Sequence, residues 1–532
     1  MFQHKTIDFK HSGVLNKLVQ QYLDKEETLR SFYSYYPDKE GFAHLLKTEP
    51  YKTFDRTLLS EILVEQTKSV HNTSEKTLTN ISKIGSGMAY TVTSGHQLCL
   101  FTGPLYFIYK LFSTINLAEA LKKEHPEHEF IPVYWMATED HDFAEVNHFH
   151  SAGKTVRWES NQSGAVGFFN TSELNRVLAE LREAFGKSEN SDYLIDLFER
   201  AYLKNNTLSK ATRYLVNELF GAYGLVVLDC DDAAFKQQFK EQFKADIFEN
   251  RSYDLVNEQC KKLEALNYPI QVNARPINCF YMEEQLRARI EKVGDGFTVV
   301  GTELHFSETE MHELIDEHPE KISPNVVLRP LYQQCILPNI AYVGGPGELA
   351  YWLEFKKMFD GLGVLFPILM PRNFVSIVDK NTQRKIDKLK FKEEDFFKSE
   401  HDLIQEFQEA NNRVFELDEE HEKIKQVYAK IREKISPLDK TLNGSVAAES
   451  KRVWNGLDRL LKKGNKALRR KSETEINQIH AIKTNLFPGG IPQERHENFS
   501  SLYIQYGPDL FSEIKKRTDP FLLKQNLFIE NH

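Results

Sequence analysis

The sequence predicts an α/β chain: a parallel sheet wound on both faces by helices, followed by an antiparallel helical hairpin. Three observations predict it. Short runs without a polar face alternate with helical periods, as in a sheet covered on both sides. Each run ends in polar residues, as strands do at a ligand-bearing rim. Further along, apolar residues recur every seven positions on either side of a proline break.

The elements follow in order. Residues 14–80 read as helices, with Val14, Leu15, Leu18, Val19, Tyr22 and Leu23 in helical step and a second stretch at 58–70. Residues 88–93 form a β-prone run that breaks at Ser94-Gly95-His96-Gln97. After Gly103-Pro104 comes a helix over 105–122, with Ile108, Leu111, Phe112 and Ile115 on its apolar side. Further strands are expected at 130–137, at 224–228 ending in Asp229, and at 364–370 ending in Pro371-Arg372. The ends Gly95-His96, Glu139-Asp140-His141, Asp229 and Arg372 should then share one rim. The pattern is irregular over 273–350, which reads as an inserted module, as does 150–220. Past about 390, Leu417, Ile424 and Ile431 repeat in heptads, as do Val446, Val453, Leu460 and Ala467 after Ser436-Pro437. The organisation expected is a catalytic core over 1–390, a coiled coil over 391–475 and a segment over 476–532 that returns to the core. The coiled-coil seam is also expected to join two subunits.

Composition sets limits. At 532 residues the chain exceeds a single simple core, and 41% hydrophobic with 27% charged residues is ordinary for globular proteins. A net charge of −9 opposes a general nucleic-acid binder, which needs a basic face. The basic stretch Lys462-Lys463, Lys466 and Arg469-Arg470-Lys471 reads as a solvated helix face. Residues 1–13 lack the apolar run of a signal peptide, and no apolar run is long enough to span a membrane. Five widely spaced cysteines (Cys99, Cys230, Cys260, Cys279 and Cys335) form no CxxC pair and read as reduced thiols in the cytoplasm.

Three segments carry chemistry. Glu139-Asp140-His141-Asp142 places four ionisable residues behind a buried strand, where they can act as general base or hold a substrate amine. A solvated loop capping the next helical turn is the plain alternative. Asp140 and His141 are the first choices, with Asp142 orienting the imidazole. Gly95, His96 and Gln97, with Gly103, form a glycine turn whose free N–H groups would meet an anion. Tyr342-Val343-Gly344-Gly345-Pro346-Gly347-Glu348 reads as an unusual backbone path that cradles a ligand, with Glu348 on an amine. No Lys-Ser/Thr follows, so it is not a Walker loop.

These segments recur together in one family. Thr93-Ser94-Gly95-His96-Gln97, Thr102-Gly103-Pro104-Leu105-Tyr106, the run from Pro132 to Phe143, Leu328-Arg329-Pro330 and Ala341 to Glu348 stand in family order. With Pro488-Gly489-Gly490 and Gln493-Glu494-Arg495, they resemble the bacillithiol biosynthesis cysteine-adding enzymes, the cysteine ligases. The resemblance spans essentially the whole chain. It implies a Rossmann-like nucleotide-binding core similar to class I aminoacyl-tRNA synthetases, with connecting insertions and a coiled coil that mediates dimerisation. The implied reaction joins the carboxyl group of cysteine to the amine of glucosaminyl-malate, the last step to bacillithiol. ATP or another nucleotide would activate the carboxylate, with magnesium only as its companion and no metal site in the protein. The catalytic residues expected from the charged run behind the strand are Asp140, His141 and Asp142. Gly95, His96, Gln97, Gly103, Glu139, Arg329, Tyr342, Gly344, Gly345, Gly347 and Glu348 would bind substrate or nucleotide. The chain departs from the pattern at His96, where some members carry Gln, and it lacks the Lys-Met-Ser-Lys-Ser loop of true synthetases. Two rival readings use the same residues: a metal-dependent hydrolase built on Asp140, His141 and Asp142, and a coiled-coil scaffold with a ligand-binding core.

Overall fold

In the computed structural model, which describes residues 1–48, 55–151, 153–411 and 413–531, the apolar runs pair into a five-stranded sheet. Its strands are β1 (Ala89–His96), β2 (Glu129–Met136), β3 (Val226–Asp229), β4 (Asn339–Gly344) and β5 (Ile368–Pro371). In space they run β3-β2-β1-β4-β5, and every pairing is parallel. The chain starts at the centre, steps outward one way, then returns and steps outward the other way. This is the doubly wound order, and it opens a crevice at the carboxyl ends of β1 and β4, where the winding reverses. Helix α1 (Tyr106–Glu124) links β1 to β2, and α2 (Pro346–Gly361) links β4 to β5.

Two strands differ from the sequence reading. β1 does not break at Ser94 but runs on, with Gly95 opposite Trp135 and His96 opposite Met136. β4 lies inside the stretch that reads as irregular. It hides because it begins with Asn339 and ends in glycine. Asn339 is fully buried and satisfied: its Oδ1 accepts from the Thr93 hydroxyl at 2.7 Å, and its Nδ2 donates to Gln334 at 3.1 Å. The helical reading of 14–80 corresponds to Lys17–Leu23, Lys39–Thr48, Arg56–Thr67 and Glu75–Ile84, with residues 49–54 of that span outside the described residues.

Long excursions leave the sheet. Between β2 and β3 lie the paired strands His148–Ser151 and Lys154–Arg157 and the longer helices Asn175–Phe185, Glu189–Phe198 and Leu208–Phe220. Between β3 and β4 lies a five-stranded antiparallel sheet. Its central ladder pairs Cys279–Glu283 with Leu286–Val293 and sets Met282 opposite Arg287.

The turn after β1 is strained. Phe101, Thr102 and Gly103 all have left-handed φ, at 48°, 71° and 64°. Only glycine fits the last position, since a Cβ there would lie 2.7 Å from Cys99 Cβ. The two non-glycine residues each cost about 1–3 kcal/mol. The Phe101 N–H donates to the Tyr202 hydroxyl at 2.7 Å, and Asn498 Nδ2 donates to the carbonyls of Phe101 and Gly103 at 2.7 and 2.5 Å.

By its contacts the chain forms two compact units, Met1–Ser376 with Ile491–Phe528, and Ile377–Gly490 with Ile529–His532. In the second unit, helices Asp418–Ile435 and Asn443–Lys471 pack side by side across the turn at 436–442. His421 stacks on Trp454 with ring centroids 4.9 Å apart. The heptad reading drifts here. Leu460 is 57% exposed, whereas Leu461 is partly buried. A straight helix repeats every 3.6 residues, so its contact stripe slides off a strict seven-residue pattern. Among the described residues, no helix is long and apolar enough to cross a membrane.

The returning segment closes the first unit. Arg372 and Glu494 are 3% and 4% exposed and meet through two parallel hydrogen bonds of 2.9 and 2.6 Å. Truncating one member leaves the other charge buried and alone, at a cost of about 3–5 kcal/mol. Glu494→Ala is therefore expected to lower the urea midpoint strongly, and Arg372→Met combined with Glu494→Leu to recover part of the loss. A wild-type midpoint for Glu494→Ala would show that the pair does not hold the segment.

Candidate active site

The switch-point crevice deepens into a cavity of about 620 Å³, a size that suits a nucleotide or a comparable small molecule. Gly95, His96 and Gln97 line it from the end of β1, and Glu139, Asp140 and His141 from beyond β2. Tyr342, Gly345, Gly347 and Glu348 line it from β4 and the start of α2, and Arg372 from beyond β5. The antiparallel sheet adds Phe280 and Arg287, while Arg275, Arg329 and Arg495 complete a basic side.

Three of the predicted residues are not among those lining the cavity. Asp142 starts the short helix Phe143–Val146 with its side chain exposed, and its N–H donates to Asp140 Oδ1 at 3.3 Å. Gly103 is spent on the strained turn. Gly344 lies inside β4, and its carbonyl accepts the Arg372 N–H at 2.9 Å. Asp229 also stays out, although its neighbour Cys230 lines the wall. The Gln66 side chain ties Asp229 down, accepting its N–H at 2.9 Å and donating to its carbonyl at the same distance.

The centre of the crevice is an ion pair whose lysine is buried and whose glutamate faces the cavity. Lys110 is 1% exposed and reaches Glu348 at 2.7 Å. Its ammonium also donates to the Gly95 carbonyl at 2.5 Å. Glu348 accepts from the Tyr342 hydroxyl at 2.6 Å and from the Gly345 N–H at 2.9 Å. Burial alone would raise the Glu348 pKa, but Lys110 and these donors outweigh it and hold it at about 2. Lys110 is the only charged residue between Tyr106 and Ala118. That isolation on a buried helix was a signal the sequence reading passed over.

The glycine segment works differently from its sequence reading. None of Gly344, Gly345 and Gly347 has positive φ. Close approach favours Gly344, whose Cβ would lie 3.1 Å from Leu349 Cδ2 and from Tyr342 Cε1. Gly95 is likewise confined, with Arg329 Nη1 at 3.2 Å and the Tyr342 hydroxyl at 3.4 Å from the position of a Cβ. The expected anion cradle after β1 is largely used up. There the N–H groups of Phe101, Gly103 and Leu105 bond to Tyr202, Leu100 and Glu497. The amino end of α2, which lines the cavity through Gly347 and Glu348, is the better-placed helix terminus.

On the rim beyond β2, Asp140 Oδ2 accepts from Gln97 at 2.7 Å, and its Oδ1 accepts the His141 N–H at 2.7 Å. Glu139 is turned inward to Lys236, which also meets Asp231 at 3.0 Å. Burial opposes the Lys236 charge, yet Glu139 and Asp231 raise its pKa above the ordinary value. His96 is driven down to about 3 by burial and by Lys110, so its ring is neutral. Cys99 lies 3.8 Å from His96 Nε2, but burial and then Asp140 push its thiol up to about 12, the opposite of an activated nucleophile. Among the described residues, no group of three or more His, Cys, Asp or Glu is placed to hold a metal ion.

Comparison with known proteins converges on one family. The N-terminal Rossmann-like domain of bacillithiol biosynthesis BshC matches residues 2–373, and its C-terminal coiled-coil domain matches residues 375–529. The chain belongs to the BshC family. A relative from Flavobacterium psychrophilum is 41% identical over 97% of both chains. One from Cytophaga hutchinsonii is 38% identical over 98% of this chain and 97% of its own, and one from Flavobacterium johnsoniae is 37% identical over 98% of both. All three carry the name "Putative cysteine ligase BshC". The family is the one the sequence motifs resemble, and the fold is the Rossmann-like core with coiled coil that the resemblance implies. Besides Lys110, sequence reasoning missed Lys236 and Arg287. Arg287 sits in an ordinary alternating strand, and nothing in its sequence neighbourhood marks it.

The depressed pKa of Glu348 has a measurable sign. A carboxylate held low in the fold stabilises it fully above the ordinary value of 4.5, and this contribution disappears as pH falls toward about 2. The gap in urea midpoint between wild type and Glu348→Gln is therefore expected to narrow across that window. A gap of constant size from about 4.5 to about 2 would show that Glu348 gains nothing from Lys110.

Proposed function

We propose that this protein is a ligase that joins the carboxyl group of cysteine to the amine of glucosaminyl-malate, forming the amide of bacillithiol. The observation that carries the reading is the cavity at the switch point. It combines a helix terminus and the basic groups Arg275, Arg329 and Arg495 on one side with the Asp140 rim on the other. The names borne by the relatives agree with it.

A free carboxylate does not acylate an amine unaided, so a nucleotide, most simply ATP with its magnesium, would supply the activation. The donor set that would meet such an anion is Arg275, Arg329 and Arg495, beside Gly95 and the start of α2 at Gly347. His96 and Tyr342 form part of the same floor. The attacking amine must be neutral and must lose a proton as the new bond forms. Asp140, held by Gln97 and by the His141 N–H, would be its acceptor. The Lys110–Glu348 pair keeps the two sides of the crevice in register.

The exposed apolar residues Val427, Ile431, Leu438, Leu442 and Leu460 on the helical hairpin favour a second copy of the chain as its partner. The five free thiols fit a reducing cytoplasm.

Purified protein given cysteine, glucosaminyl-malate and ATP is expected to yield the conjugate, detected by mass. Asp140→Asn should slow it by about 10²–10⁴-fold. Undiminished ligation by that variant removes the rim from the reaction, and product formed without nucleotide points to another activated donor. For assembly, Val427→Lys with Leu460→Lys is expected to halve the mass measured by light scattering. A double variant of unchanged mass places the subunit contact elsewhere.

A further inference from the structure

The rim contains an arginine–histidine contact that the reaction as described does not use. Arg287 Nη1 lies 2.7 Å from His141 Nδ1. A guanidinium has only N–H donors and stays protonated, so the atom facing it must offer a lone pair. We infer that Arg287 is a positioning residue: it fixes His141 as the neutral tautomer with its proton on Nε2, which makes the imidazole a hydrogen-bond donor to the reacting oxygen rather than the base.

Arg287 is itself immobilised. Its Nε donates to the Ser323 hydroxyl at 3.0 Å, and Nη2 donates to the Pro324 carbonyl at 3.1 Å. Its guanidinium lies over the Phe280 ring, 4.1 Å from the centroid. The same ring stands 5.4 Å from the His141 imidazole, so Phe280 braces both groups. Asp140 cannot take over the contact, because its Oδ1 is 3.9 Å from Nδ1 and already accepts the His141 N–H. The charged groups acting on the ring are Arg287, Asp140 and Asp142. Burial and then Arg287 lower the pKa of His141, and the two carboxylates oppose them. Nε2 has no partner among the described residues, and the side chain is 45% exposed where it lines the cavity.

The consequence for the chemistry rests on the ligase reading. As the amine nitrogen bonds to the activated carbonyl carbon, the π pair moves to the carbonyl oxygen. The Nε2–H donates a hydrogen bond to that oxygen, while Asp140 takes the amine's proton. The carbonyl then re-forms and expels the activating group with its electron pair. Donors aimed at developing charge are among the largest single contributions to such a step.

The test uses full-length protein with nitrogen-15-labelled histidine rings, with His141→Gln identifying the His141 signals. In the wild type, Nδ1 should appear as a bare ring nitrogen and Nε2 as the protonated one. In Arg287→Met the single tautomer should be lost and the ring should titrate higher. Turnover should fall about 10²–10³-fold, with the KM for cysteine little changed, and Arg287→Lys, which keeps one donor, should restore much of it. A proton on Nδ1 in the wild type, or an unaltered ring in Arg287→Met, overturns the inference. If the tautomer is as stated but the wild type makes no conjugate, the positioning role stands and the ligase reading falls.

Discussion

The crevice depends on one charge that is almost wholly buried, Lys110. Lys110 sits on a buried helix that carries no other charge between Tyr106 and Ala118. An isolated ammonium there would cost several kcal/mol in lost hydration. Glu348 removes most of that cost, and in doing so it fixes much else. It draws the start of α2 toward β1, engages Tyr342 of β4 and leaves the third donor of Lys110 for the Gly95 carbonyl. β1 and β4 are the strands at which the winding reverses, so a single ion pair spans the place where the fold opens. Its net stabilisation is modest by the usual behaviour of buried pairs. Its structural consequence is positional.

The two sheets divide the chemistry between them. The parallel sheet brings the carboxylates, Asp140 and Glu348, because its strand ends point into the crevice. The antiparallel sheet inserted between β3 and β4 brings Arg287, and the neighbouring segments bring Arg275 and Arg329. A Rossmann-like sheet alone would offer a rim of mixed charge. The insertion turns one wall basic, and by seating Arg287 on Phe280 it fixes the direction in which His141 presents its ring.

Much of this was legible in the sequence, for identifiable reasons. β2 announces itself because every residue from Phe130 to Met136 is buried and none is charged, and the polar run behind it had to lie at a strand end. The conjunction of motifs named the family. β4 was not legible, since Asn339 and a terminal glycine disguise a central strand, and only partners distant in sequence, Thr93 and Gln334, make that asparagine acceptable in the core. The glycines of the 344–347 segment were read as conformational when the one that matters is steric. Asp142 was grouped with its neighbours by adjacency, but a single step of chain at a helix start turns a side chain away. Arg287 is 146 residues from His141, and no local pattern carries a contact of that range.

The pairing of Arg372 with Glu494 bears on how the chain is made as well as on how it stands. The two residues are 122 positions apart, and the whole helical hairpin is synthesised between them. When β5 leaves the ribosome, the guanidinium destined for the interior has no counter-charge. The strained turn at Phe101 likewise waits for Asn498, 397 positions later. Domains often fold as they emerge, but two buried contacts of this core wait for Glu494 and Asn498. The candidate cavity is thus completed late, since one of its lining residues, Arg495, follows the hairpin in sequence.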